Sequence, residues 1–157
     1  VTRGEFVARD KEPMAPNTRA HELALYVVLE SPLQMVSDYP EHYAGQHDFE
    51  FLKQVPTTGD EVRVIAGRSM ENVTMARRSG KDWYVWSITN YEARTVKVPL
   101  QFLGEGKYVA EIYPDAADAG TKATHTEFTK QTVDRTSVLE VKMVSGGGNA
   151  IWIHPEH

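Results

Sequence analysis

The chain has 157 residues, a formal net charge of -5, and 41% apolar and 25% charged side chains, the balance of a chain that buries a core rather than a disordered one. Its length suits one domain, or one small domain with a fragment of a neighbour, and excludes a complete eightfold β/α barrel, which takes about 250 residues. The acidic balance and scattered Lys and Arg speak against a nucleic-acid partner, the absence of cysteine excludes disulfides and thiolate chemistry, and no run approaches the roughly 20 apolar residues of a membrane-spanning helix.

The chain opens on Val1 with no targeting pattern, which reads as a cut inside a longer protein. Its first fifteen residues, with Lys11-Glu12-Pro13-Met14-Ala15-Pro16, lack periodicity and read as an irregular lead-in. Asn17 or Thr18 can then cap a helix whose apolar positions Ala20, Leu23, Ala24, Val27 and Val28 recur at spacings of three and four. Leu25, Tyr26 and Leu29 widen the apolar face, so this helix is expected inside a larger assembly. Ser31-Pro32 interrupts it, because proline removes a helical donor and restricts the residue before it. Leu33-Gln34-Met35-Val36 is compatible with strand or helix, and a second helix is predicted over 40–54 on Tyr43, Phe49, Phe51 and Leu52.

After Val55-Pro56 the apolar residues alternate in short segments, predicting strands at 62–66, 71–78, 82–89, 94–102, 107–113, 124–133, 137–144 and 149–154. The clearest is 95–102, with Val96, Val98, Leu100 and Phe102 on one face; Pro99 marks it as an edge strand or a bulge. Turn signals at Arg78-Ser79-Gly80-Lys81, Gly104-Glu105-Gly106 and Ser145-Gly146-Gly147-Gly148 separate the strands, and their spacing predicts an antiparallel β-sandwich. The predicted class is therefore mainly β, with residues 1–55 a helical segment too short for a core of its own and 56–157 an all-β domain.

The string Thr18-Arg19-Ala20-His21-Glu22-Leu23-Ala24-Leu25-Tyr26-Val27-Val28, followed by Glu30-Ser31-Pro32-Leu33-Gln34-Met35, resembles a run of the type TRAHQLALYVVxxSPLQMxAD in family 97 glycoside hydrolases. Val55-Pro56-Thr57-Thr58-Gly59-Asp60-Glu61 is similar to that family's VPTTWDET, with Gly59 where the family has tryptophan. Ala76-Arg77-Arg78, Trp83-Tyr84-Val85, Gly106-Lys107-Tyr108, Ile112-Tyr113-Pro114-Asp115 and Gly146-Gly147-Gly148 follow in the same order. The resemblance covers nearly the whole chain. It implies that residues 1–55 are the C-terminal fragment of a (β/α)8 catalytic barrel and that 56–157 are the C-terminal β-sandwich of an enzyme acting on α-linked glucosides or galactosides. It further implies a periplasmic or secreted bacterial setting, with the remainder of the parent glycosidase as partner.

Glycoside hydrolysis needs two carboxylates flanking the scissile bond. In the resembled family these, and the carboxylates that hold a calcium ion, lie in earlier barrel elements, before residue 1 of this chain. No catalytic, metal or cofactor residue is carried over, and the chain is expected to support the barrel without catalysing anything alone.

The residues' own constellations point the same way. Asp60 and Glu61 are adjacent on an extended segment, so they point to opposite faces and cannot flank one bond. His42, His47 and Asp48 lack the spacing that aligns two imidazoles on one helical face, and His154, Glu156 and His157 lie at the chain end. Arg77-Arg78, beside Ser79-Gly80-Lys81-Asp82, reads as an exposed hairpin end, and Asp115-Ala116-Ala117-Asp118-Ala119-Gly120 as an ordinary connection without calcium-loop spacing. The glycines at 146–148 precede a strand instead of a helix, so they form a turn and not a phosphate loop. Trp83, Tyr84, Trp86, Tyr91, Tyr108, Tyr113 and Trp152 raise one rival, a carbohydrate-binding module stacking α-linked oligosaccharide on exposed rings. Alternation, however, sends Trp83 and Val85 to one face and Tyr84, Trp86 and Ile88 to the other, so at least one set is core.

Overall fold

The structure is a computed structural model that describes residues 6–8, 15–29, 31, 33–35 and 39–156. Helix α1 (Arg19–Val28) begins where Thr18 Oγ1 accepts the His21 amide at 3.1 Å, so Thr18 is the cap. Asn17 instead donates from its side-chain amide to Glu22 Oε1 at 3.0 Å. Ala20, Leu23, Ala24 and Val27 form the buried stripe that the sequence spacing predicts.

The helix predicted over 40–54 is two short helices, α2 (Pro40–Tyr43) and α3 (His47–Gln54). Gly45 sits between them at φ 77°, a left-handed conformation no helix continues through. Asp48 and Glu50 in the first turn of α3 and Lys53 in its last suit the helix dipole.

Eight strands follow: β1 (Glu61–Arg68), β2 (Asn72–Ser79), β3 (Asp82–Thr89), β4 (Arg94–Pro99), β5 (Tyr108–Pro114), β6 (Thr129–Val133), β7 (Val138–Met143) and β8 (Gly148–Pro155). Six form one antiparallel sheet in the order β1-β2-β3-β8-β5-β6, and β4 pairs with β7 in a two-stranded sheet across one of its faces. This is the predicted mainly β, antiparallel class, with the sandwich divided six and two.

Two predicted strands are shorter than expected. β4 ends at Pro99, whose ring cannot donate to a ladder. The chain then turns so that the Leu103 amide meets the Leu100 carbonyl at 3.0 Å and both leucines plug the core. Pro99 does lie on an edge, since among the described residues β4 pairs with β7 alone. In the stretch predicted as a strand over 124–133, only β6 pairs fully, preceded by an isolated bridge between Asp115 and Thr126.

At the centre of the large sheet, in β3 and β8, both faces meet core. Between the sheets lie Trp83, Val85, Val98, Leu100, Val141 and Ile151, with Phe102 tilted against Trp83 at 4.7 Å. Within the large sheet, Thr74 lies directly opposite Ser87, and their buried hydroxyls hydrogen-bond at 2.9 Å. On the other face Tyr84, Trp86, Tyr113 and Ala150 pack against Leu23, Ala24 and Val27 of α1 and Phe51 of α3. Both alternating sets of β3 are therefore core, because helices cover the face that an ordinary sandwich leaves to solvent. A ten-residue helix is marginal by itself. Burial of each large apolar side chain, at about 1.5–3 kcal/mol, holds α1 on the sheet.

Candidate functional site

The polar side chains that converge in this fold do so where the helical segment meets the sheet. Asp115, at the end of β5, is buried and accepts from Thr18 Oγ1 at 2.6 Å, the Val144 amide at 3.0 Å and the Gly148 amide at 3.1 Å. Around it, the Thr18 amide donates to the Gly146 carbonyl at 3.2 Å, and His21 Nδ1 lies 3.0 Å from the Gly147 carbonyl oxygen. Burial raises the Asp115 carboxyl above the usual aspartate value, against the lowering effect of the Thr18, Val144 and Gly148 hydrogen bonds.

The glycines at 146–148 make this convergence possible. Gly146 has φ 67°, as the predicted tight turn requires. A Cβ on Gly147 would land on Asp115 Oδ2, and one on Gly148 would stand 2.5 Å from the His21 Cα. The run is thus also a close-approach surface for α1. Asp115, read from the sequence as part of an ordinary connection, is corrected to a buried junction residue. Its partners are 97 and about 30 positions away along the chain, so no local spacing signals it. The one legible hint is an acidic residue directly after the apolar strand ending Ile112-Tyr113-Pro114.

Arg77 requires a second correction. Of the arginine pair expected at an exposed hairpin end, only Arg78 is accessible; it reaches Asp60 at 3.4 Å and Glu61 at 3.3 Å. Arg77 is 1% exposed, with its guanidinium 5.8 Å from the Trp86 ring centroid. The cause is register: Arg77 lies opposite Tyr84, on the helix-covered face, whereas Arg78 lies opposite Trp83 near the hairpin end. Gly59 packs on the Arg77 stem, where a Cβ would collide with Cγ and Cδ. Gly59 thus leaves a slot that the Arg77 side chain fills.

The remaining candidates disperse. Asp60 precedes β1, so the alternation expected to part it from Glu61 does not hold: both carboxylates pair with Arg78, and the Arg63 hydrogen bond foremost holds Glu61 below the usual glutamate value. His47 stacks on Phe128 at 5.3 Å, while Asp48 accepts from Thr126 Oγ1 at 2.7 Å and pairs with Arg19 at 3.5 Å. The His42 side chain and His157 lie outside the described residues. His154 packs tilted against Trp152, ring centroids 4.5 Å apart, and sits 3.7 Å from Glu111. Among the described residues no three His, Asp or Glu side chains cluster as metal ligands would.

Trp83, Tyr84, Trp86 and Tyr113 are buried and cannot stack on a sugar. Tyr84 and Tyr113 have pKa values raised chiefly by that burial, and Tyr84 donates to the Gln54 carbonyl at 2.7 Å, tying β3 to the end of α3. Tyr91 is the exposed member of the set.

Residues 58–154 match a family model described as glycosyl-hydrolase 97 C-terminal, oligomerisation. Over 154 residues the chain is 35% identical to a retaining alpha-galactosidase of Bacteroides thetaiotaomicron, a match covering 98% of this chain and 23% of that protein. A glycoside hydrolase family 97 enzyme from Pseudoalteromonas sp. strain K8, solved with acarbose, superposes with a TM-score of 0.85 at 33% identity, over 90% of this chain and 23% of the other. A beta-arabinopyranosidase superposes with a TM-score of 0.74 at 26% identity, over 91% and 22%. The chain therefore spans about a quarter of the length of the relatives it matches. With the strand region inside the family-model match and the helical segment inside the alignment to the alpha-galactosidase, the chain belongs to the C-terminal family of the family 97 glycoside hydrolases.

Proposed function

We propose that this region is the non-catalytic support of an α-glycoside hydrolase acting on α-linked galactosides or glucosides, in an exported, periplasmic or secreted enzyme. The observation that carries this reading is the shared core: α1 and α3, which resemble barrel elements, pack on the same sheet face and are tied to it at Asp115 and Tyr84. Helices that belong to a barrel and are fused to a sandwich in this way transmit the rigidity of one to the other. The relatives support a role independent of substrate, since an alpha-galactosidase, a beta-arabinopyranosidase and an acarbose-bound enzyme all match this region. Catalytic carboxylates, and any calcium ion, belong to the larger part of the enzyme.

Incubation of the purified chain with aryl α-galactosides and α-glucosides tests the reading, the expected result being no turnover. In the full-length enzyme, deletion of residues 58–157 is expected to lower the melting temperature and abolish activity after mild heating. Turnover by the isolated chain, or a deletion variant as heat-stable as the parent, overturns it.

A further inference from the structure

Met70, at the turn between β1 and β2, is anomalous twice over. At 95% exposure it is the most exposed large apolar side chain among the described residues. It also sits at φ 63°, the one non-glycine residue among them at positive φ. A residue with a side chain adopts that left-handed conformation at a cost, and a short hairpin turn favours Gly or Asn there. Neither the exposure nor the conformation serves the chain's own core.

The tip is nevertheless firmly held. The Glu71 amide donates to the Arg68 carbonyl at 3.0 Å, and the Asn90 amide to the Glu71 carbonyl at 2.8 Å. The Asn90 side chain reaches the Met70 carbonyl at 3.4 Å, and the Gly146 amide donates to the Asn90 carbonyl at 2.8 Å. Arg94 pairs with Glu71 at 3.3 Å. The β1–β2 turn, the β3–β4 loop and the glycine turn before β8 are thus one bonded block. A side chain presented on such a block has less freedom to lose on binding.

Beside Met70 opens a cleft of about 490 Å³ lined by Val64, Gly67, Val73 and Ile88, with Met70 at its lip. Val64 is 70% exposed. Arg68 and Glu71 flank the methionine, one charge of each sign, 3.9 Å apart. An apolar knob next to an apolar cleft, edged by a cation and an anion, is complementary to itself. Under a two-fold rotation each knob meets the other copy's cleft and each Arg68 the other copy's Glu71.

We infer that the β1–β2 hairpin tip is a two-fold contact between copies of this chain, with Met70 of each copy seated in the cleft of the other. The occupant follows from the self-complementary charges and from the matched family, which is described by oligomerisation. Methionine's unbranched, polarisable side chain suits a shallow cleft of mixed shape. The contact goes beyond the support role proposed above and does not depend on it.

The test uses the full-length enzyme. Met70→Asn and Met70→Gly both suit φ 63°, so they remove the knob and keep the turn. Val138→Thr is the control, a polar change at a 57% exposed valine of β7 in the other sheet. Sedimentation is expected to show the parent and V138T associated alike, and both Met70 variants with a self-association Kd raised about tenfold or more. Arg68→Glu sets like charges across the two-fold and is expected to weaken association as well. A parent enzyme that stays monomeric overturns the inference, and so does association of the Met70 or Arg68 variants equal to that of the parent. Should the variants fail to fold, peroxide oxidation of Met70 in the unmodified enzyme, read by peptide mass, still decides. Slow oxidation that becomes fast on dilution to monomers supports the contact, while a rate indifferent to association overturns it. The support role has its own readout, deletion of residues 58–157, so either idea can fail alone.

Discussion

Thr18 and Asp115, 97 positions apart, share a buried hydrogen bond of 2.6 Å, and the same Thr18 oxygen accepts the His21 amide that opens helix α1. One hydroxyl thus caps the helix and fastens it to the end of a strand. Thr18→Val, which keeps shape and removes the hydroxyl, is expected to destabilise the chain by about 1–2 kcal/mol, the scale of a lost cap and hydrogen bond. Asp115→Ala is expected to cost more, about 2–4 kcal/mol, because the Val144 and Gly148 amides lose their acceptor in a buried site. Urea unfolding of the two variants and their double mutant checks both, with clear non-additivity expected.

Asp115 also gives the pH dependence a sign unusual for an aspartate. Burial raises its carboxyl pKa in the fold above the ordinary 3.8. The folded protein then binds the proton more tightly than the unfolded chain does. The stability contributed by this group is full below pH 3.8 and is lost as pH rises through the folded value. Glu61, Asp118 and Asp134 have lowered values and act in the opposite direction, losing their contribution as pH falls. Melting temperatures of the native chain and Asp115→Asn, taken across the acidic range, should differ in slope, the variant lacking the component that declines with rising pH.

The close approach of α1 to the turn before β8 predicts a sharp contrast among glycines. Gly148→Ala puts a methyl against the backbone of α1, and Gly147→Ala puts one on the Asp115 carboxylate. Each is expected to destabilise by about 2 kcal/mol or more, since a packed core accepts an added methyl only by shifting backbone. Gly120→Ala, with nothing within 4 Å and no positive φ, should be neutral or slightly stabilising. Thermal melts of the three variants settle the comparison.

Gly59 and Arg77 are expected to be energetically coupled. Gly59→Trp drives a large side chain into space held by the Arg77 stem, so alone it should destabilise by about 1–3 kcal/mol. In the Arg77→Ala background the same change should cost measurably less, because the slot is vacated. A double-mutant cycle with a coupling energy near zero would mean that the two side chains do not compete.

The strands were legible because their apolar residues alternate, and β2, β3, β5, β7 and β8 fall within one or two positions of their expected ends. The apolar stripe of α1 was legible for the same reason at the helical period. What escaped was set by tertiary structure. Trp83 and Trp86 look alike in alternation, and only the helices on one side and β4–β7 on the other show that both faces are buried. Arg77 is polar by composition and buried by register. Asp115 becomes a junction through partners distant in sequence. The break between α2 and α3 was marked by Gly45, a signal available in the sequence but overridden by the apolar spacing around it.

The hydroxyl pair of Thr74 and Ser87 selects which hairpin can form. If β2 and β3 paired one position out of step, Thr74 would face Ile88 or Trp86, and each hydroxyl would enter the interior without its mate. A mispaired hairpin would then carry two dry, unmatched hydroxyls, each costing about 1–3 kcal/mol. The pair adds little to the final stability beyond one hydrogen bond, yet it penalises the competing alignments that the two strands would otherwise tolerate.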